Sequence, residues 1–267
     1  MGDRRVYWQI VKAQVRSQTQ YRTSFTVDLV FSTVIAGLDI ATVFILFSVT
    51  GGLGGFGGQA VLLIAGLASL AFALADLTFG NAERLRELVR SGAFDALLLR
   101  PLSALGQLLA SNVAPRKFGR IVQGLVVYGI GLAVSDIQWS AAKVGLAVIA
   151  PVAACVLFGC LFVIGATIAF WWVESGEVAN SVTYGGRDYT SYPLTMYGES
   201  AFSRIFSFGI GLAFVAYLPA LALLDVPDPL GTPDWLRWCS PLTAAVAAVL
   251  AAAAWRVGVR HYRSTGS

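Results

Sequence analysis

The chain has 267 residues, with 19 lysines and arginines against 15 acidic residues and a net charge of +4. It is 57% hydrophobic and 13% charged, with a mean hydropathy of +0.70. Soluble domains average about 45–50% apolar and about 25% charged residues, so these values exclude a water-soluble enzyme, a disordered chain and a disulfide-stapled secreted module. The length suits one membrane domain. Cys155, Cys160 and Cys239 form no CxxC pair, and an odd count closes no disulfide framework. They read as small hydrophobes.

Residues 4–22 read as an amphipathic interfacial helix. Tyr7, Val11 and Val15 recur at four-residue spacing with Trp8 beside them, and Arg4, Arg5, Lys12, Arg16 and Arg22 fill the rest. Such a helix lies in the membrane interface on anionic lipid. The stretch lacks a continuous apolar run, so no cleavable signal peptide is expected. Spans need about 20 mostly apolar residues. Residues 25–50 and 60–79 meet that length. Asp39 sits mid-span and is a candidate to line a substrate path or bind a cation, or to pair with a neighbouring helix. Asp28 and Asp76 are expected at the interface. The glycine run 51–58 contains G-x-G-x-x-G, but between two spans rather than between a strand and a helix. It reads as a flexible turn.

Residues 81–117 form a loop far longer than a hairpin needs. Asn81 is expected to cap a helix carrying Glu83, Arg84, Arg86, Glu87 and Arg90, stopped by Ser91-Gly92. A second short helix follows over Phe94-Asp95-Ala96-Leu97-Leu98-Leu99 and ends at Arg100-Pro101. Leu97, Leu98, Leu99 and Leu102 are costly to expose, so they are expected in a groove of this protein or of a partner. Further spans are expected at 118–139 and 144–173, the latter bent at Pro151. Between Trp171 and Arg204 lie Glu174, Glu177, Asn180, Arg187, Asp188 and Glu199, which by hydropathy alone read as a cytoplasmic connection. Residues 201–224 then qualify as a span. Residues 242–257 are alanine-rich, and small residues favour close helix contact, so this span is expected to meet protein on most sides.

Six spans place the N-terminal segment, the 81–120 region and the C-terminal tail on one side. Fifteen of the 19 basic residues lie there. The positive-inside rule makes that side the cytoplasm and puts both termini in it. No P-loop is present, since no Gly-Lys pair occurs. The single histidine, His261, supports neither an H-E-x-x-H zinc site nor a nucleophile–histidine–acid set. No metal site, catalytic set or nucleic-acid stripe is expected.

The segment Val89-Arg90-Ser91-Gly92-Ala93-Phe94-Asp95-Ala96-Leu97-Leu98-Leu99-Arg100-Pro101-Leu102 resembles the cytoplasmic signature of ABC-2-type ABC transporter permeases, in a bacterial subgroup of about this length. Three further stretches match in order: Phe170-Trp171-Trp172, then Tyr192-Pro193-Leu194 leading to Tyr217-Leu218-Pro219-Ala220, and Trp255 to Arg263. The resemblance implies an all-α integral membrane fold with six spans, an N-terminal interfacial helix and a cytoplasmic coupling helix within about 83–102. It implies a cytoplasmic P-loop ATPase partner in two copies, which binds ATP and Mg, while this chain binds no cofactor. It also implies a second permease chain, a different one or itself, in a bacterial cell membrane. Glu83, Arg84, Arg86, Glu87, Arg90, Phe94, Asp95, Leu97, Leu98 and Arg100 would then meet the ATPase. In relatives the Pro-Leu element marks the outer end of the fifth span, and a re-entrant hairpin follows. Carried over, the fifth span is about 174–192 rather than 201–224, and Asp39, Glu174, Glu177, Arg187 and Asp188 become candidates for the translocation pathway. The implied function is ATP-driven export of an amphipathic or hydrophobic substrate. The rival readings are a secondary transporter or channel using intramembrane acids, a membrane enzyme, and a structural anchoring subunit.

Overall fold

The computed structural model describes residues 53–111, 116–198 and 200–263, together with Val27 and Val34. The expectations for 4–22, for the 25–50 span and for Asp28 and Asp39 fall outside these residues. The fold is all-helical. Among the described residues the only extended pairing is an isolated bridge between Leu53 and Phe56. Helices are numbered here over the described part of the chain.

Helix α1 (Gly58–Phe79) is the central helix, apolar all round and buried on most of its surface, as expected of a helix enclosed on all sides. It pairs antiparallel with α5 (Arg116–Val134). Glycines set the spacing: a Cβ on Gly66 would lie 2.7 Å from the Tyr128 backbone, one on Gly124 2.7 Å from Leu70 Cα, and one on Gly131 2.9 Å from Leu63 Cα. The two backbones therefore touch, a geometry that membrane helices use because apolar side chains gain nothing by leaving lipid. The far face of α5 turns outward through Val122, Leu125, Val126 and Ile130. Helix α6 (Ala141–Thr167) contains Pro151 and continues as a 3-10 turn to Phe170. It packs on α1 and accepts a hydrogen bond from Tyr128 Oη at the Ala147 carbonyl, 2.9 Å away. Helix α10 (Ser240–His261) runs beside α6.

Among the described residues helix α10 is covered along one side, where the sequence pointed to protein on most sides. Its buried positions are Ser240, Ala244, Ala251 and Gly258, while Leu242, Val246, Val249, Leu250 and Val257 face outward. Ala244, Ala251 and Gly258 recur at seven-residue spacing, with Ser240 one turn before them, and make one tight seam. The glycine run makes a turn where it is described. Leu53 and Phe56 exchange backbone hydrogen bonds of 2.9 and 3.0 Å around Gly54 and Gly55, both at positive φ. This is the turn that glycine pairs favour. Phe56 then seats edge-on against Tyr217, 5.9 Å away.

Helix α7 (Gly176–Thr190) is the polar one. It starts at the end of the bundle where the long loop lies, with Arg90 paired to Glu174. It finishes at the opposite end, where Thr195 Oγ1 donates to the Gly54 carbonyl at 2.7 Å. The stretch after it is broken. Helix α8 (Ala201–Arg204) runs into a π-turn over Ile205–Gly209, Gly211 takes a left-handed conformation, and a 3-10 turn leads to α9 (Tyr217–Leu224). The two arms bend by 57°. The break reaches the bundle interior beside Leu157 and Thr243. Yet both ends return to the end that holds the Leu53–Phe56 turn: Tyr189 hydrogen-bonds Ser203 and Ser207, Tyr217 meets Phe56, and Asp225 pairs with the buried Lys143 at the start of α6. Among the described residues four helices are long and apolar enough to cross a membrane, or five if the bent pair is one span.

Candidate functional site

The loop after α1 is the most built polar structure in the described chain. Helix α1 continues through a 3-10 turn (Gly80–Arg84) into α2 (Leu85–Arg90). Ser91 and Gly92 end it, the latter at φ +70°, a conformation suited to glycine. Two short helices follow, α3 (Phe94–Leu98) and α4 (Ala104–Leu109), the second capped by the Ser103 side chain accepting from Gly106 N. Helices this short do not persist alone in water. The loop is held by tertiary contacts instead.

The main anchor is Phe94. It is fully buried and sits in a ring of aromatic side chains: Phe170 at 5.3 Å from the end of α6, and Tyr262 at 5.0 Å and Trp255 at 6.4 Å from α10 and the residue after it. Phe94 therefore does not face a partner, and its expected place on the docking surface is corrected. Its ring is the most apolar feature of a polar loop and is enclosed by the chain itself. Buried Gln107 adds a second tie, donating to the Leu97 and Leu102 carbonyls at 3.0 and 3.2 Å. Asn81 adds a third. It does not cap a helix; its Nδ2 donates to the Leu109 carbonyl at 2.7 Å. The chain turns back there, and the last carbonyls of α4 lack a helical partner.

Beneath the loop lies a buried charge cluster that joins α1 to α5. Asp76 is 5% exposed. Lys117 Nζ sits 3.0 Å from its carboxylate and 2.7 Å from its backbone carbonyl, and Arg120 approaches the other carboxylate oxygen at 3.3 Å. Asp76, expected at the interface, lies in the last turn of α1, and two cations of α5 pair with it there. Gly80 makes the room, since a Cβ there would lie 2.3 Å from the Asp76 carboxylate.

The expected docking residues separate into outward and inward sets. Arg84, Arg86, Glu87, Arg90, Leu98 and Arg100 are exposed, and Leu99 most of all at 87%. Leu97 is partly buried and packs on the core, while Asp95 lies beside Tyr262. Burial and the Asp95 carboxylate push the Tyr262 phenol above its ordinary value. Glu83 turns inward, half-buried in a crevice with Arg86, Ser175 and Asn180, and Tyr184 Oη donates to it at 3.5 Å. Expected at the ATPase contact, it lies in the 3-10 turn and faces this crevice beside α7.

The expected pathway residues also divide. Glu174, Glu177 and Asp188 are exposed, and with Ser181 and Gly185 they mark one polar stripe along α7. Arg187 leans toward α1, its guanidinium 5.6 Å from the centre of the Phe72 ring, and stays 3.8 Å from the Asp188 carboxylate. Leu99 and the stripe on α7 were the features that sequence reasoning could only partly place. Hydropathy marks Leu99 as apolar without saying which leucine faces out. Among the described residues no group of three or more histidines, cysteines or acids is arranged to hold a metal.

Comparison with known proteins adds one match. A family model described as ABC-2 family transporter protein matches residues 33–266. No curated protein and no solved structure matches the chain.

Proposed function

Since the chain belongs to the ABC-2 family of transporter proteins, we propose that it is the membrane-spanning permease subunit of an ATP-driven ABC transporter, and that the loop over Gly80–Leu109 is its contact with a separate cytoplasmic ATPase. Proteins of this family are multi-pass membrane components that generally work with such an ATPase. One observation carries the assignment of the loop. It displays two leucines and four arginines to the outside while a buried phenylalanine ties it to two membrane helices. A force on Leu98, Leu99 or Arg100 is passed by Phe94 to α6 and α10, and by the Asp76 cluster to α1 and α5. Two packed helix pairs with more than one arrangement are the kind of element that converts such a push into alternating access.

We further read α7 as the fifth span and the bent 201–224 stretch as a re-entrant element. Supporting this, α7 joins opposite ends of the bundle whereas both ends of the bent pair return to one. A span with a polar stripe cannot turn that stripe to lipid. The stripe of Glu174, Glu177, Ser181 and Asp188 is therefore assigned to the seam with a second permease chain, where an amphipathic or hydrophobic substrate would pass outward. The basic end of the bundle is the cytoplasmic one, in a bacterial cell membrane.

Copurification from native membranes in mild detergent tests the assignment. A P-loop ATPase accompanies the chain, and charge reversal at Arg84, Arg90 and Arg100 releases it. If no such ATPase accompanies the chain, or if the reversals leave assembly and transport intact, the reading fails.

A further inference from the structure

A groove of about 400 Å³ opens between the loop and the last turns of α10. Leu98 and Leu102 form one wall and Trp255 and Val259 the other. Arg256 and Arg260 stand on its rim, one helical turn apart on the same face. Both arginines are exposed, and among the described residues neither has an acidic partner. No carboxylate lines the groove. The Trp255 ring that forms part of the wall also packs against Phe94 and Phe170, so the groove shares a side chain with the anchor of the loop.

We propose that this groove binds one anionic phospholipid. The charge pattern selects the headgroup: two unpaired guanidiniums suit a phosphate, which they grip in fork geometry. The apolar walls select a lipid over free phosphate, because four large apolar side chains beside the arginines have nothing to offer an inorganic ion. The location agrees, since α10 is a membrane helix and its outward face carries Val246, Val249, Leu250 and Val257 up to this level. A basic groove at the polar end of membrane helices is a general solution for anionic headgroups. The bound lipid bridges the loop to α10, so anionic lipid content sets how firmly the loop is held against that helix. The inference rests on the membrane reading of the chain and not on its ATP-driven action.

Native mass spectrometry of the full-length chain in mild detergent tests it. The probes are phosphatidylglycerol, phosphatidylcholine and inorganic phosphate. The expected result is retention of phosphatidylglycerol, with no retention of phosphatidylcholine and no competition by phosphate. Arg256→Gln with Arg260→Gln weakens retention roughly 30-fold, from the loss of two cations near the headgroup, and Arg256→Lys with Arg260→Lys restores only part of it, because an ammonium keeps the charge and offers no fork. Ala104→Phe, which fills the groove and leaves both arginines in place, also abolishes retention. Equal retention by the glutamine pair overturns the proposal. So does retention by Ala104→Phe, which would make the arginines a diffuse charge. So does loss of a copurifying protein rather than of lipid in the glutamine pair, which would make the groove a protein contact. Lipid retention is read on the permease alone, so its outcome is independent of whether an ATPase copurifies.

Discussion

At the scale of single residues, the informative side chains are those whose burial contradicts their polarity. Asp76 is a carboxylate in an apolar helix, and Lys117 and Arg120 pair with it. Removing one partner of a buried pair leaves the other unpaired, at about 3–5 kcal/mol. Asp76→Asn should therefore lower the thermal midpoint in detergent well beyond an exposed control such as Glu177→Gln. Gly80→Ala should show a smaller loss of the same kind, since its Cβ enters the space of the carboxylate. Tyr262 supplies a pH test. Its phenol is raised, so the neutral form is the one the fold favours. Its contribution is complete below the unfolded value of about 10 and disappears as pH rises through the raised value. Alkaline titration should loosen the loop, measured by proteolysis within 91–103, and Tyr262→Phe should shift that loosening to higher pH. The sequence made Asp76 visible as a charge near a span end. It did not show the pair, because Lys117 lies 41 positions away and the pairing follows from how α1 meets α5.

At the scale of elements, the loop and the α1–α5 pair show two uses of side-chain size. Phe94 and Leu99 are five residues apart on one short motif, and both are large and apolar. One is enclosed by Phe170, Trp255 and Tyr262, and the other is exposed. Phe94→Ala should cost about 3–5 kcal/mol of stability. Leu99→Asp should leave the thermal midpoint unchanged and reduce ATPase copurification at least tenfold. A result in which Leu99→Asp unfolds the protein and Phe94→Ala does not would reverse their roles. The α1–α5 pair works by absence of side chains. Gly124→Val inserts atoms where the Leu70 backbone already lies, so overpacking by about 1–3 kcal/mol is expected, read as a lower midpoint. The leucine run pointed to a segment that must bury itself in this chain or a partner, while the glycine contacts between α1 and α5 were not read from the sequence. Which leucine points out was not legible, because α3 is barely more than one turn and its orientation is set by the aromatic ring around Phe94.

At the scale of the molecule, the path of the chain between Trp171 and Ser240 decides what the protein can do. If α7 crosses the membrane, Met196 lies on the side opposite Leu99. In a background lacking Cys155, Cys160 and Cys239, Met196→Cys should react with a membrane-impermeant maleimide applied to intact cells, and Leu99→Cys only in inverted vesicles. Labelling of both from the same side would instead make 201–224 the fifth span. Composition, the count of apolar runs and the crowding of arginines in one loop determined that this chain belongs in a membrane, and the family signature was readable in 89–102. These are properties of local sequence, since each apolar run must find lipid or protein wherever it goes. The direction of α7, the break at Gly211, the enclosure of Phe94 and the pairing of Asp76 were decided only by tertiary structure. Each depends on partners tens of residues distant. A polar helix becomes a membrane element only when its neighbours cover one face and leave its stripe to a seam.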